Sequence, residues 1–177
     1  MKDIFATLDS IVQSCGEELF PWSSLSPMAE DDKANHKITA VIGFAGDNFK
    51  GALGLTASTK TIVATLPNPV GALIYSSETK QSLDDWIAEL ANQLLGRIKA
   101  RLIPYGIEAW LSEPVVLRGL DVCISPRLEE GVRNYSFSGK FGLLWVWMDL
   151  RASPEFELNL VPELDENACA PGDIMLF

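Results

Sequence analysis

Two apolar segments separated by a short turn stand at residues 38–57, ITAVIGFAGDNFKGALGLTA, and they decide the fold of this chain. Both segments carry the β-branched, aromatic and other apolar residues that strands favour. Between them, Gly46, Asp47 and Asn48 tolerate the positive φ angles of a tight turn. The stretch therefore predicts an antiparallel β-hairpin.

A second stretch repeats this chemistry later in the chain. Residues 135–150, YSFSGKFGLLWVWMDL, again run from an aromatic residue through a glycine turn to an apolar segment, with the turn expected at Ser138-Gly139-Lys140. A helix is predicted before each hairpin. The likeness has two interpretations: a duplicated helix-plus-hairpin unit, or turn chemistry that all hairpins share. The segment GLLWVWM fits either a sheet edge that needs covering or a core strand.

Helical periodicity appears at the start of the chain and after the first hairpin. Residues 3–20 have apolar side chains at helical spacing, and the polar stretch from Pro21 to Lys37 is interpreted as a loop. Ser58 or Thr59 is expected to cap a short helix that runs through Leu66.

The clearest helix is predicted over Ser82 to Leu102. Ser82 is a suitable N-cap, and Asp84 and Asp85 would lie in the first turn, where the helix dipole favours negative charge. Pro104 and the glycine that follows it two residues later would end the helix.

This predicted helix has two different faces. At about 100° per residue, one side carries the apolar residues Leu83, Trp86, Ile87, Leu90, Leu94 and Ile98. The opposite side carries Asp85, Glu89, Asn92 and Gly96, all within roughly 60° of one another. Acids and amides are typical of any solvated helix face. The glycine, which costs a helix about 1 kcal/mol relative to alanine, favours a binding surface that a partner's backbone approaches closely.

Composition and charge exclude several classes of function. The 177 residues suit one domain, and the net charge of -10 disfavours a nucleic-acid binder, which needs a basic surface. The apolar runs are far shorter than the roughly 20 residues of a membrane helix, so no membrane association is expected. The N-terminus lacks the apolar segment of a secretory signal, which predicts a cytoplasmic protein.

The chain has few of the residues that usually catalyse hydrolysis, such as histidine and metal ligands. Cys15, Cys123 and Cys169 stand apart, without a CxxC motif, and are predicted to be reduced thiols rather than metal ligands. The single histidine, His36, lies in a polar stretch and is interpreted as a solvated side chain. No metal site of its own is predicted.

Residues 85–102, DWIAELANQLLGRIKARL, together with residues 113–119, EPVVLRG, resemble the signature of the CheC/CheX/FliY phosphatases. That signature is an acid or serine, three residues, Glu, two residues, Asn, some twenty residues and then Pro. The matching positions here are Asp85, Glu89, Asn92 and Pro114, and Gly96 agrees with the same helix. Both hairpins fit the family as well, so the resemblance runs from about residue 3 to residue 150.

The resemblance implies an α/β (α+β) sandwich, in which two helix-plus-hairpin halves form a mainly antiparallel sheet with helices packed on it. Residues 1–150 would be the CheX-like domain and residues 151–177 an acidic C-terminal extension. The first helix has no Glu-x-x-Asn, so a single site is expected, as in CheX-like members, which pair as dimers. By resemblance the chain is expected to form a homodimer.

The implied activity is hydrolysis of the aspartyl phosphate of a CheY-like response regulator. Asn92 would orient the attacking water, and Glu89 would bind the regulator's lysine. Asp85 would contact the partner, Gly96 would permit its close approach, and Pro114 would be structural. No cofactor of its own is implied, since the regulator supplies Mg²⁺.

Two alternatives stay open at this stage. A non-catalytic adaptor could bind phosphorylated receiver domains through the same face. A structural component of a signalling assembly could instead use the C-terminal extension, through Ile174 to Phe177, as its docking segment; the same extension could equally be solvated.

Overall fold

The computed structural model describes residues 2–26, 37–66, 77–119, 131–154, 156 and 158. Within these residues, three α-helices, one 3-10 turn (Ile103–Tyr105) and seven strands follow one another. They are α1 (Lys2–Leu19), β1 (Ser23–Ser26), β2 (Lys37–Gly46), β3 (Phe49–Ser58), α2 (Thr59–Thr65), α3 (Ser77–Leu102), β4 (Trp110–Leu111), β5 (Val115–Gly119), β6 (Val132–Gly139) and β7 (Gly142–Ala152). The predicted combination of helices with an antiparallel sheet is confirmed.

Both predicted hairpins form within this sheet. The first, β2–β3, turns at Asp47 and Asn48, as expected from the sequence. The second, β6–β7, turns at Lys140 and Phe141, slightly later than predicted, and Gly142 begins β7 with a φ of 118°. Since residues with a side chain rarely adopt that angle, the glycine at this position permits the turn.

The sheet has an approximate two-fold arrangement. Its strand order is β1-β6-β7-β3-β2-β4, and β5 also pairs with β2. The two hairpins therefore meet through β3 and β7 at the centre, while the short strands that precede each hairpin cross over to pair with the other one. The register follows the same symmetry: Leu53 pairs with Met148 and Leu55 with Val146. This arrangement favours duplication over two independently similar hairpins.

Gly54 and Trp147 face each other at the centre of this arrangement. A Cβ atom added to Gly54 would overlap the indole of Trp147, which is only 4% exposed, so the glycine makes room for the ring. Because β7 lies between β6 and β3, its segment GLLWVWM is a central strand. The interpretation of that segment as a sheet edge is therefore wrong, and the core interpretation is correct.

The helices pack on one face of the sheet and form the core with it. Alternate residues of the strands point toward them, as the two-residue period of a strand requires. The core includes Leu8, Val12, Phe20, Ile38, Ile42, Leu53, Leu55, Ile62, Ile87, Leu94, Phe137, Leu144 and Val146. The helices α1 and α3 are also joined at the surface, where Glu18 forms ion pairs with Arg97 and Arg101.

Three boundaries test the sequence predictions of local structure. The short helix α2 begins after Ser58, whose hydroxyl accepts a hydrogen bond from the Thr61 amide at 3.1 Å, so the predicted cap is confirmed. The predicted loop after Pro21 contains strand β1, which was not predicted. The N-cap prediction for Ser82 is wrong, because α3 begins at Ser77 and Ser82 lies within the helix.

The chain after β7 continues to contact the domain. The Ser153 amide donates a hydrogen bond to the Asn48 carbonyl at 2.8 Å, and the Phe156 and Phe49 rings lie 5.1 Å apart. Most of the extension, including residues 174–177, lies outside the described residues. Its separation at residue 150 stays a prediction.

Candidate phosphatase site

The long helix α3 carries the candidate site on the side that faces away from the sheet. Of its predicted apolar face, Leu83, Ile87, Leu90, Leu94 and Ile98 are each at most 5% exposed, whereas Trp86 is half-buried. Ala91 and Leu95, which were not predicted, are buried beside them. This packing orients the helix, so the residues opposite to it must point outward. The division into a core face and a solvent face is confirmed.

The four predicted helix positions lie together on that outer side. Asp85 and Glu89 are exposed, and Asn92 and Gly96 are half-buried. The Gln93 amide donates a hydrogen bond to Glu89 Oε1 at 2.8 Å. The Asn92 carboxamide has no hydrogen bond to another residue in the described part of the chain. A Cβ atom added to Gly96 would meet nothing within 4 Å, so this position opens onto empty space.

Pro114 is half-buried and directly precedes β5, which pairs with β2. The strand is linked to the candidate helix by an ion pair, in which Arg118 Nε lies 2.5 Å from Asp84 Oδ1. The helix and the proline-led strand of the sequence motif are thus neighbours in space. No role was predicted for Arg118, and Asp84 was predicted only to interact with the helix dipole.

A second contact on α3 also went unpredicted. Trp86 Nε1 donates a hydrogen bond to Thr65 Oγ1 at 3.1 Å and so attaches the helix to α2. Its only signal in the sequence is the position of Trp86 at the border of the apolar face, where an indole can pack and still reach a polar partner.

The described residues hold no group of three or more His, Cys, Asp or Glu side chains placed to bind a metal ion. Cys15 is a buried free thiol whose pKa is raised, mainly by burial. Cys123, Cys169 and His36 lie outside the described residues. What α3 offers is a carboxylate and a carboxamide on adjacent turns, which can bind a cation and orient a water molecule.

The chain also matches a known protein family. The sequence profile described as "Chemotaxis phosphatase CheX" matches residues 38–138, more than half of the chain. The chain belongs to the CheX family. This is a family of chemotaxis phosphatases, and CheX is one of the family names that the motif indicated. No curated protein matches the chain.

Solved structures with the same fold include several CheX proteins. The chemotaxis protein CheX from Vibrio vulnificus is 17% identical, with a TM-score of 0.62 over 81% of this chain and 93% of that one. CheX from Desulfovibrio desulfuricans is 19% identical, with a TM-score of 0.61 over 84% and 99% of the two chains. Borrelia burgdorferi CheX, solved as a CheX–CheY–BeF3–Mg complex, is 16% identical, with a TM-score of 0.64 over 83% and 97%.

These structures establish the fold that positions the candidate helix. None of the helices in the described part of this CheX-family chain is long and apolar enough to cross a membrane.

Proposed function

We propose that this CheX-family protein hydrolyses the aspartyl phosphate of a CheY-like response regulator. The observation that carries the proposal is the Asn92 carboxamide, which stands on the outer side of α3 beside Glu89 without a hydrogen-bond partner among the described residues. The family match and the solved complex of a related CheX with CheY support a receiver domain as the partner.

The chemistry needs little from this chain, because phosphoryl transfer depends mainly on positioning and on neutralising charge. The receiver domain supplies the acyl phosphate, a lysine and the Mg²⁺ that binds the phosphoryl oxygens. What it lacks is a water held in line with the phosphorus–oxygen bond that breaks. Water attack on phosphorus releases inorganic phosphate and returns the receiver's aspartate as a free carboxylate.

Asn92 fits the role of holding that water. Its carbonyl oxygen can accept a hydrogen bond from the water while its amino group donates to a neighbouring acceptor, with no change of protonation. The amide then resembles the water-positioning glutamine of a GTPase. Because the carboxamide has no partner among the described residues, it has no hydrogen bond to them that must break before it enters the receiver.

Glu89 lies one turn before Asn92 and is exposed. A charge-assisted hydrogen bond from its carboxylate to the receiver's lysine would fix how deeply α3 enters the partner. Gln93 already bonds one oxygen of Glu89, which leaves the other oxygen for the lysine. Asp85 would contact the receiver at the edge of the interface, and the open space at Gly96 would admit the receiver's backbone. Pro114 would support the start of β5.

In this proposal the protein acts in the cytoplasm as a homodimer and uses no cofactor of its own. The regulator would carry the Mg²⁺, which is consistent with the presence of BeF3 and Mg²⁺ in the solved complex of Borrelia burgdorferi CheX with CheY.

The test is a screen of the host's receiver domains. Each is phosphorylated with acetyl phosphate, freed of the donor, and followed for phosphate loss with and without this protein. Faster loss from at least one receiver is expected. Binding of a phosphorylated receiver without faster loss would favour the adaptor, and neither effect on any receiver would refute both functions.

A further inference from the structure

Two contacts hold α3 on either side of Asp85. Arg118 Nε donates to Asp84 Oδ1 at 2.5 Å, and Trp86 Nε1 donates to Thr65 Oγ1 at 3.1 Å. Successive residues of a helix project about 100° apart, so Asp84 and Trp86 point to opposite sides of the outward-facing stripe. The helix is therefore attached to β5 on one side and to α2 on the other.

The ion pair to β5 is better protected than those at the other end of α3. The side chains of Arg118 and Asp84 are 27% and 28% exposed. Glu18 and its partners Arg97 and Arg101 are 42%, 47% and 52% exposed. Solvent screens the attraction within exposed ion pairs, so they constrain the side-chain positions only weakly. A partly buried pair with a direct hydrogen bond keeps its orientation.

We propose that Arg118 is a positioning residue for the candidate site and that it acts through Asp84. Core packing decides which side of α3 points outward. The pair then sets the final rotation of α3 about its own axis, and with it the direction in which Asn92 and Glu89 enter the receiver. This inference rests on the proposed function. The inference also explains why the motif includes a proline-led strand, since β5 places Arg118 beside the helix.

A small rotation of α3 displaces the Asn92 carboxamide, because the end of the side chain lies well away from the helix axis. Side-chain ends lie about 5 to 6 Å from a helix axis, so a rotation of roughly 10° moves the carboxamide by about 1 Å. Misplacement by 1 Å can reduce a rate by about a hundredfold. If the pair contributed only to stability, the buried face of α3 alone would fix the rotation of the helix. Loss of Arg118 would then lower the melting temperature without lowering turnover.

The experiment compares Arg118→Gln, Asp84→Asn, the double variant and Arg118→Lys. Arg101→Gln is the matched control, since it breaks an ion pair of the same helix away from β5. Two quantities are measured for each protein: turnover with saturating phosphorylated receiver, and the thermal unfolding midpoint. The receiver is one that wild-type protein dephosphorylates.

Arg118→Gln and Asp84→Asn should each lower turnover roughly tenfold or more. The double variant should lose no more than either single variant, because both changes break the same contact. Arg118→Lys, which keeps a cation beside Asp84, should recover much of the turnover. Arg101→Gln should stay within about twofold of wild type.

Turnover of Arg118→Gln within twofold of wild type would overturn the positioning role while leaving the proposed function intact. A loss that only follows the unfolded fraction, or that Arg101→Gln reproduces, would overturn it as well. Wild-type protein inert toward every receiver would instead overturn the proposed function, and this role with it.

Discussion

The two long helices, α1 and α3, pack on the same sheet in the same manner but differ on their outer sides. In α1, Leu8, Val12 and Cys15 are buried at intervals of four and three residues. In α3, Ala91, Leu95 and Ile98 are buried at the same intervals. Aligning the helices on these residues also brings together their last residues, Leu19 and Leu102, and places Asp9 of α1 at the position of Asn92 of α3.

The two equivalent positions have different surroundings. Asp9 accepts a hydrogen bond from the Tyr135 hydroxyl at 2.7 Å, and Arg133 Nε lies 3.6 Å from the same oxygen. The pKa of Tyr135 is raised, first by burial and then by its hydrogen bond to Asp9 and by the charge of that carboxylate. Asn92 has no such contact among the described residues. One helix thus uses this position inside its own fold, and the other leaves it available to a partner.

The glycines of the two helices also differ in whether they contact the rest of the chain. A Cβ atom added to Gly16 of α1 would overlap the buried ring of Phe137, whereas one added to Gly96 of α3 would meet nothing within 4 Å. Gly16 is therefore needed for packing within the chain. Gly96 has no such packing role among the described residues, and the helix surface is open at this position.

The largest effect is expected from Asn92→Ala. Loss of the water-orienting amide should slow receiver dephosphorylation by about a hundredfold or more, by analogy with the loss of an oriented hydrogen-bonding group in other active sites. The free energy of unfolding should change by less than about 0.5 kcal/mol, as for a surface substitution. Gln13→Ala, which removes an amide from α1, is the control. Near-normal activity of Asn92→Ala would contradict the mechanism.

A smaller effect is expected from Glu89→Ala. A lost charge-assisted hydrogen bond to the receiver's lysine should weaken binding of a beryllofluoride-activated receiver about tenfold or more and slow turnover too. The control is Glu17→Ala, which removes an exposed acid from α1. Titration calorimetry measures the affinity, and an affinity equal to wild type would refute the anchoring role.

The glycine comparison predicts stability changes of opposite sign. Gly16→Ala should lower the free energy of unfolding by about 1 to 3 kcal/mol, because the added methyl group overpacks the core against Phe137. Gly96→Ala should raise it by about 0.5 to 1 kcal/mol, since alanine is the better helix former. Urea denaturation of both variants checks the pair. A destabilised Gly96→Ala would show that this position is not open.

The smallest effect is expected from Asp9→Ala. Removing the acceptor of the Tyr135 hydroxyl should lower the free energy of unfolding by about 1 kcal/mol, the low end of the cost of leaving a buried donor without a partner. The cost is low because Asp9 is partly exposed, so water can reach the hydroxyl in its place. The pKa of Tyr135 should fall, since Asp9 raises it through both hydrogen bond and charge. Denaturation and an ultraviolet absorbance titration measure the two changes. Phosphatase activity should persist, and its loss would place α1 in the reaction.

Much of the fold follows from local patterns in the chain. The apolar spacing of α3 predicted its buried and outward faces, because a helix with one buried side must repeat apolar residues with its own period. The glycine and asparagine turn predicted the first hairpin for a similar reason. The same reasoning placed Glu89 and Asn92 on one outer stripe, while their roles came only from family resemblance and stay proposals.

The errors occur where local patterns carry no information. The start of α3 was placed at Ser82 because serine caps helices, but the preceding residues SETKQ are polar, and so gave no apolar period to reveal the extra turns. Strand β1 is short and mostly serine, and it forms because β6 pairs with it from far along the chain. The pair of Asp84 with Arg118 also joins distant residues.

The sequence by itself determined that three helices and two hairpins form, which side of α3 is buried, and the family, since each of these depends on spacing along a few turns or strands. Only the tertiary structure decided that β7 lies at the sheet centre, that the Asp9 carboxylate accepts a hydrogen bond from Tyr135, and that Arg118 contacts the candidate helix. Such contacts depend on how distant segments meet in space, and no local period encodes that.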